Sequence, residues 1–248
     1  QNLMNSLAQA VVIVGLLAIG ETVVIIAGGL DISVGSVASI GSVVSASVLI
    51  GVGTVGSISF IPSGSVVIAV IAGVVAGMIA GMINGFIVTV LRVNPIIATL
   101  GTLAAFAGIA FLLAPDGKPI GVVTQPEFTW LAQGRLLTDV SVPELNGSRW
   151  TGIPVLTVIL VGVTIIFHVL MAYTAFGRSI YAIGGNQVAA RLAGINLTGV
   201  RITMYMLSGG VAGLAGVLLT ARTTYGNPVN GVGLELQEIT AVFVGGAA

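Results

Sequence analysis

Long apolar runs constrain this chain more than any other feature it has. A bilayer-spanning helix needs roughly 20 consecutive, mostly apolar residues. Six such runs occupy residues 3–27, 32–52, 66–91, 96–114, 154–173 and 202–221, and a seventh covers 236–248. Stretches such as VVIAVIAGVVAGMIAGMI do not alternate in polarity, so they read as helices and not as strands of an outer-membrane barrel. Composition agrees: 56% of the residues are hydrophobic and only 6% are charged, against roughly 25% charged in an average soluble domain. The expected fold is an all-α, polytopic transmembrane helix bundle forming one domain over 1–248. The first run lacks both a basic start and a small-residue cleavage site, so no cleaved signal is expected. The abrupt start and the cut last run read as those of a fragment.

Arginine placement orients the bundle. Arg92 lies in the short turn LRVNP, and Arg178, Arg191 and Arg201 lie in or beside residues 176–200. Positive residues in short loops mark the cytoplasmic side. Two spans and the loop 115–153 separate these segments, so both can face the cytoplasm while 115–153 faces outward. That loop is polar, with Lys118, Arg135 and Arg149 set against Asp116, Glu127, Asp139 and Glu144. It also carries both tryptophans, Trp130 and Trp150, a residue type favoured at headgroup level.

Polar groups at membrane depth are the first functional candidates. Glu21 interrupts the first run and Asp31 sits in AGGLDISVGS. Charges in hydrocarbon cost a few kcal/mol and usually face a cavity or a partner. Gly28, Gly29 and Gly35 predict a broken helix around Asp31, tolerated only where it is buried or lines water. Asp31 reads either as a cap on the Ser33 or Val34 amide or as part of a transport path, and the two roles are compatible. Glu21 reads as a path residue or as a packing position. Gly29-Leu30-Asp31-Ile32-Ser33 resembles Gly233-Leu234-Glu235-Leu236-Gln237, a short repeat that the arginine orientation makes inverted. Candidate path residues are therefore Glu21, Asp31, Ser33, Asn84, Thr99 and Glu235, with Ser36, Ser39, Ser42 and Thr102 beside them. For the hydroxyl residues, bonding to their own helix backbone is the expected state.

Gly73, Gly77, Gly81 and Gly85 recur every four residues, with a weaker series at Gly209, Gly213 and Gly216. Such stripes let two helix backbones come close. A static contact is the plain reading and a moving interface the functional one.

Several classes lack support in the sequence. Net charge is zero and cysteine is absent, which leaves no signal for nucleic acid, disulfides or thiolate metal sites. The single histidine, His168 in IIFHVLM, has no carboxylate or serine at helical spacing and makes no triad. Asn146-Gly147-Ser148 matches a glycosylation sequon, a pattern too short to carry a function by itself. No GxxxxGK[ST] loop is present, and the only lysine, Lys118, lies in PDGKPI. The stretch FGRSIYAIGGNQVAARLAGINLTGV places a short helix around Ala189-Ala190, ended by Gly194. By itself it reads as a connecting loop or as a docking surface.

Three stretches carry a family resemblance: ETVVIIAGGLDISVGSVASI, NGFIVTVLRVNPIIATLGTLAAFAGIAFLL, and the segments from FGRSIYAIGGNQVAARLAGI through YMLSGGVAGLAGVLLTAR to GVGLELQEITAVFVGGAA. In their order and spacing the chain resembles the membrane permeases of bacterial ABC importers for simple sugars, the group that includes ribose, xylose, galactofuranose and autoinducer-2 permeases. The resemblance implies a permease in the inner membrane with no cofactor of its own. ATP would be bound by a separate subunit, sugar delivered by an external binding protein, and the path formed with a second permease copy or a sister chain. It also implies a cytoplasmic coupling helix that enters a cleft on the ATPase, carried by Gly185, Asn186, Ala189, Ala190, Arg191 and Gly194. Two departures stand out. Val188 occupies the position of the usual leading glutamate, and Glu21 stands where relatives tend to carry a small or apolar residue. The family also continues past GGAA. The rival reading is a secondary transporter or channel that uses Glu21, Asp31 and Glu235 as an ion relay. An ATPase dock at 189–194 separates the two.

Overall fold

The computed structural model describes residues 2–51, 65–122, 125–137 and 152–247. Ten α-helices dominate these residues: α1 (Asn2–Ile26), α2 (Val34–Ile50), α3 (Val66–Thr89), α4 (Pro95–Leu113), α5 (Pro126–Gln133), α6 (Val155–Tyr173), α7 (Ala175–Gly185), α8 (Gln187–Leu192), α9 (Leu197–Thr223) and α10 (Leu234–Val244). Five of them, α1, α3, α4, α6 and α9, are long and apolar enough to cross a membrane. The all-α polytopic bundle expected from the apolar runs is what forms.

Two apolar runs fold differently from simple spans. The run at 32–52 yields α2, only 17 residues long and buried along most of its length between α3, α4 and α9. It is rich in serine and glycine because it faces other helices and not lipid. The run at 202–221 starts earlier and ends later, as α9, where Asn196 accepts the Gly199 amide at the first turn. The spans α4 and α6 have the opposite character, with few buried residues and many large apolar side chains exposed on their outer faces.

The glycine stripes form the most extensive helix contact among the described residues, that of α3 with α9. A Cβ on Gly77 would run into the Gly209 carbonyl, and one on Gly81 into the Tyr205 carbonyl. A Cβ on Gly213 would meet the carbonyl of Gly73. Gly41 of α2 approaches Gly213 in the same way. The interlocking is backbone against backbone, which fits the static-contact reading of the stripes.

Two short antiparallel pairings seal one end. β1 (Ile120–Gly121) pairs with β4 (Tyr225–Gly226), and β2 (Arg135–Leu136) pairs with β3 (Ile153–Pro154). The first pairing joins the 115–153 segment to the end of α9 and so puts both on one side of the bundle, as the arginine orientation requires. That segment is more than a polar loop: α5 buries Phe128 and Ala132 against the bundle, and Gln9 of α1 donates to the Ala132 carbonyl. Trp130 is exposed there, whereas Trp150, Arg149, Glu144 and Asp139 lie outside the described residues.

Candidate functional site

The break between α1 and α2 builds a buried polar centre. α1 ends at Ile26, Gly28 takes φ +76°, and the chain turns back beside its own helix. The Asp31 amide then donates to Glu21 Oε1 at 2.9 Å. Asp31 Oδ1 accepts the Ser33 amide at 3.0 Å and the Ser33 hydroxyl at 2.7 Å. This is an Asx turn leading into α2, so the capping expected of Asp31 falls on the Ser33 amide. Asn84, one turn and a half before the end of α3, donates to Asp31 Oδ1 at 3.2 Å, to Oδ2 at 3.3 Å and to Ser33 Oγ at 2.7 Å. Glu21, Asp31, Ser33 and Asn84 are fully buried. Four of the sequence candidates thus meet at one point although they come from three elements.

Not every acceptor at this centre is satisfied. Among the described residues Glu21 Oε2 and Asn84 Oδ1 have no hydrogen-bond partner, nor does either carboxyl oxygen of the fully buried Glu238 on α10. Sequence reasoning passed over Glu238. Its signal was its place three residues after Glu235 in the last apolar run, which puts it on the same helix face one turn on. Tyr205 of α9, also missed, closes one side of the break, its hydroxyl donating to the Leu30 carbonyl at 3.4 Å.

A second polar layer lies further along α2. Ser42 Oγ and Thr220 Oγ1 are 2.7 Å apart, and Ser42 Oγ also accepts from the Asn227 amide at 3.2 Å and from Asn230 Nδ2 at 2.8 Å. Ser39 Oγ accepts the Gly231 amide at 3.0 Å. These bonds hold residues 227–233 as a second irregular segment inside the bundle, from which α10 starts. α10 has 11 residues, too few to span a bilayer alone. Glu235 does not join the Asp31 centre. Both its oxygens accept the Gly233 amide, at 3.2 and 3.0 Å, and its carboxylate packs against Gly35. Just outside the short repeat, Gly35 of α2 and Gly231 approach each other so closely that neither has room for a side chain.

The other hydroxyl candidates bond their own helices. Thr99 Oγ1 donates to the Pro95 carbonyl at 2.8 Å, Thr102 to Thr99 at 3.3 Å and Ser36 to Ser33 at 2.8 Å. The back-bonding expectation holds for these three and fails for Ser33, Ser39 and Ser42, which join separate segments.

The segment 176–200 is helical nearly throughout. Thr174 accepts the Gly177 amide to start α7, and Asn186 accepts the Val188 and Ala189 amides to start α8. α8 ends in a Schellman motif: the Ile195 amide donates to the Ala190 carbonyl at 3.1 Å and the Gly194 amide to the Arg191 carbonyl at 3.0 Å, with Gly194 at φ +82°. Ala190 is buried, while Val188 is 69% and Leu192 84% exposed. Four residues apart, these two share one face of α8. The segment therefore anchors on Ala190 and presents an apolar pair outward. His168, on the exposed face of α6, sits edge-on to Tyr173 with ring centroids 6.1 Å apart. No group of three or more metal-ligating side chains occurs among the described residues.

A bundle of this kind, with two irregular segments inside it and a short helix on one face, is that of a multi-pass membrane protein. Residues 2–248 match the family described as the branched-chain amino acid transport system, permease component, and the chain belongs to that family. It is 39% identical over 248 residues to the ribose import permease protein of Bacillus subtilis (strain 168), covering 100% of this chain and 69% of that one. It is 36% identical over 245 residues to the L-arabinose transport system permease protein of Escherichia coli (strain K12), covering 99% of this chain and 66% of that one. With the ribose import permease protein of Escherichia coli (strain K12) the identity is 33% over 250 residues, covering 100% and 70%. The chain thus spans about two thirds of the length of these relatives. No solved structure matches it.

Proposed function

We propose that this chain is the permease subunit of an ABC importer that carries a simple sugar, a pentose or hexose, across the inner membrane. The relatives named for ribose and arabinose import support the substrate class. A neutral polyol needs hydrogen-bonding groups and small side chains along its route. The place where α2 meets the Gly231 segment, beside the break at Asp31, supplies both. In this reading a binding protein delivers the sugar from outside and a second permease copy or homologue completes the path. A separate ATPase subunit binds ATP.

The observation that carries the reading is α8. Val188 and Leu192 expose an apolar pair on a short, doubly capped helix that is anchored to the bundle through Ala190. An ATPase cleft that received this pair would transmit its closure through Ala190 to α7 and α9. The test is sugar uptake in liposomes holding the full-length permease with the ATPase and binding protein of its own system. A Val188→Asp, Leu192→Asp variant should retain the membrane fold, lose ATP-driven uptake, and fail to bring down the ATPase. Uptake that ignores this variant, needs no ATP and follows a proton gradient would replace the reading with a secondary transporter built on Glu21 and Asp31.

A further inference from the structure

A cavity lies beside α8, separated from the buried polar centre by Tyr205. Its volume is about 560 Å³. Three arginines line it: Arg92 from the α3–α4 turn, Arg191 from α8 and Arg201 from the first turns of α9. No carboxylate lines it. Arg201 Nη2 donates to Gln187 Oε1 at 3.1 Å. Among the described residues neither Arg92 nor Arg191 has an ion pair or a side-chain hydrogen bond.

Three further observations make this more than a cationic surface. The first turns of α4 and α9 both reach the cavity, through Pro95 and through Leu197 and Thr198. Each helix N-terminus contributes fixed positive potential and amides suited to an anion. Thr89 Oγ1, an atom of a lining residue, is buried without a hydrogen-bond partner among the described residues. Arg92 holds φ +57°, a backbone conformation uncommon for a residue other than glycine, asparagine or aspartate. Departures of this kind persist where the surroundings over-determine them and gather at ligand clamps.

We propose that this cavity is a binding site for a phosphate-bearing anion, held by the guanidinium groups of Arg92, Arg191 and Arg201. Guanidinium forks pair with phosphate oxygens in a bidentate, charge-assisted geometry that lysine does not reproduce. The cavity exceeds a bare phosphate, so the ligand carries further atoms. Either an anionic lipid headgroup from the inner leaflet or a soluble phosphate ester supplies that chemistry. Bound there, the ligand would bridge the α3–α4 turn, α8 and the start of α9, fixing the short helix against the bundle. That consequence for coupling rests on the permease reading, but the binding itself does not.

The test uses the purified chain in a neutral maltoside detergent, with two probes. Inorganic phosphate is titrated by calorimetry. Phosphatidylglycerol, against phosphatidylcholine, is counted by native mass spectrometry. The expected result is one saturable site for at least one probe, weakened at least about tenfold in Arg92→Gln, Arg191→Gln, Arg201→Gln and unchanged in Arg178→Gln. Arg178 is an exposed arginine of the same segment that does not line the cavity. Phosphatidylglycerol retained at one copy and not displaced by phosphate identifies the lipid source. Phosphate binding without lipid retention identifies a soluble ester. Absence of saturable binding by both probes, or equal weakening by Arg178→Gln, overturns the proposal. If circular dichroism shows that the triple variant does not fold, the single Arg201→Gln variant is read by the same criteria. Neither outcome depends on sugar uptake, so a failed site and a failed permease reading are distinguishable.

Discussion

The amide of Asp31 donates to Glu21 Oε1 over 2.9 Å, tying the end of the first span to the break that follows it. Glu21 is thus an acceptor for a backbone group that has lost its helical partner, in a place where water cannot supply one. Glu21 lies five residues before the end of α1, and the chain folds back beside the helix to bring the Asp31 amide to it.

Replacing Glu21 tests that role. Glu21→Gln keeps a side-chain oxygen for the Asp31 amide and should fold with little loss. Glu21→Leu fills similar space but leaves the amide unmet, at a cost of about 1–3 kcal/mol. Thermal unfolding of both variants in one detergent gives the comparison. Equal stability would mean that the Asp31 amide finds another acceptor.

The glycine contact between α3 and α9 predicts an asymmetry among glycines. A Cβ on Gly77 would strike the backbone of Gly209, whereas one on Gly101 of α4 would meet nothing within 4 Å. Gly77→Ala should therefore destabilise by about 1–3 kcal/mol, as overpacking does. Gly101→Ala should be neutral or slightly stabilising through helix propensity. The midpoint of heat-induced aggregation, measured on the two variants side by side, decides it.

Serines on α2 should divide by what they bond. Ser36 donates only within its own helix, while Ser42 accepts from Asn227 and Asn230 of the second irregular segment. Ser36→Ala should leave the protein unchanged. Ser42→Ala strands the Asn227 amide and should cost about 1–2 kcal/mol. Hydrogen exchange at residues 227–233 is the direct readout: faster in Ser42→Ala, unchanged in Ser36→Ala.

Gly194 ends α8 at φ +82° with open space where a Cβ would sit. Gly194→Ala therefore meets no clash and bears only the left-handed backbone cost, about 1 kcal/mol. Limited proteolysis should then cut within 186–196 more readily while the spans stay intact. An unchanged cleavage rate would show that the capping bonds to Ala190 and Arg191 hold α8 without glycine.

Apolar length was enough to reveal a helical membrane bundle, since hydrocarbon allows few other solutions to a backbone that must satisfy its own hydrogen bonds. Arginine positions gave an orientation with which the β1–β4 pairing agrees. The glycine doublet before Asp31 located the break and Gly194 the end of α8, because left-handed turns are local requirements written in single residues; the Asn186 cap that starts α8 was not read. The partners inside the bundle were not legible. Nothing in the spacing of Ser33, Ser36, Ser39 and Ser42 distinguishes a hydroxyl that bonds its own helix from one that holds a distant segment. That choice depends on which face meets α9 and residues 227–233. Glu238 escaped notice for the same reason, being ordinary in sequence and buried only because α10 packs on α1. Local chemistry determined where the helices run and stop. Only tertiary structure decided which polar groups meet, because in a bundle of similar apolar helices that choice is made by the shape of their packed faces.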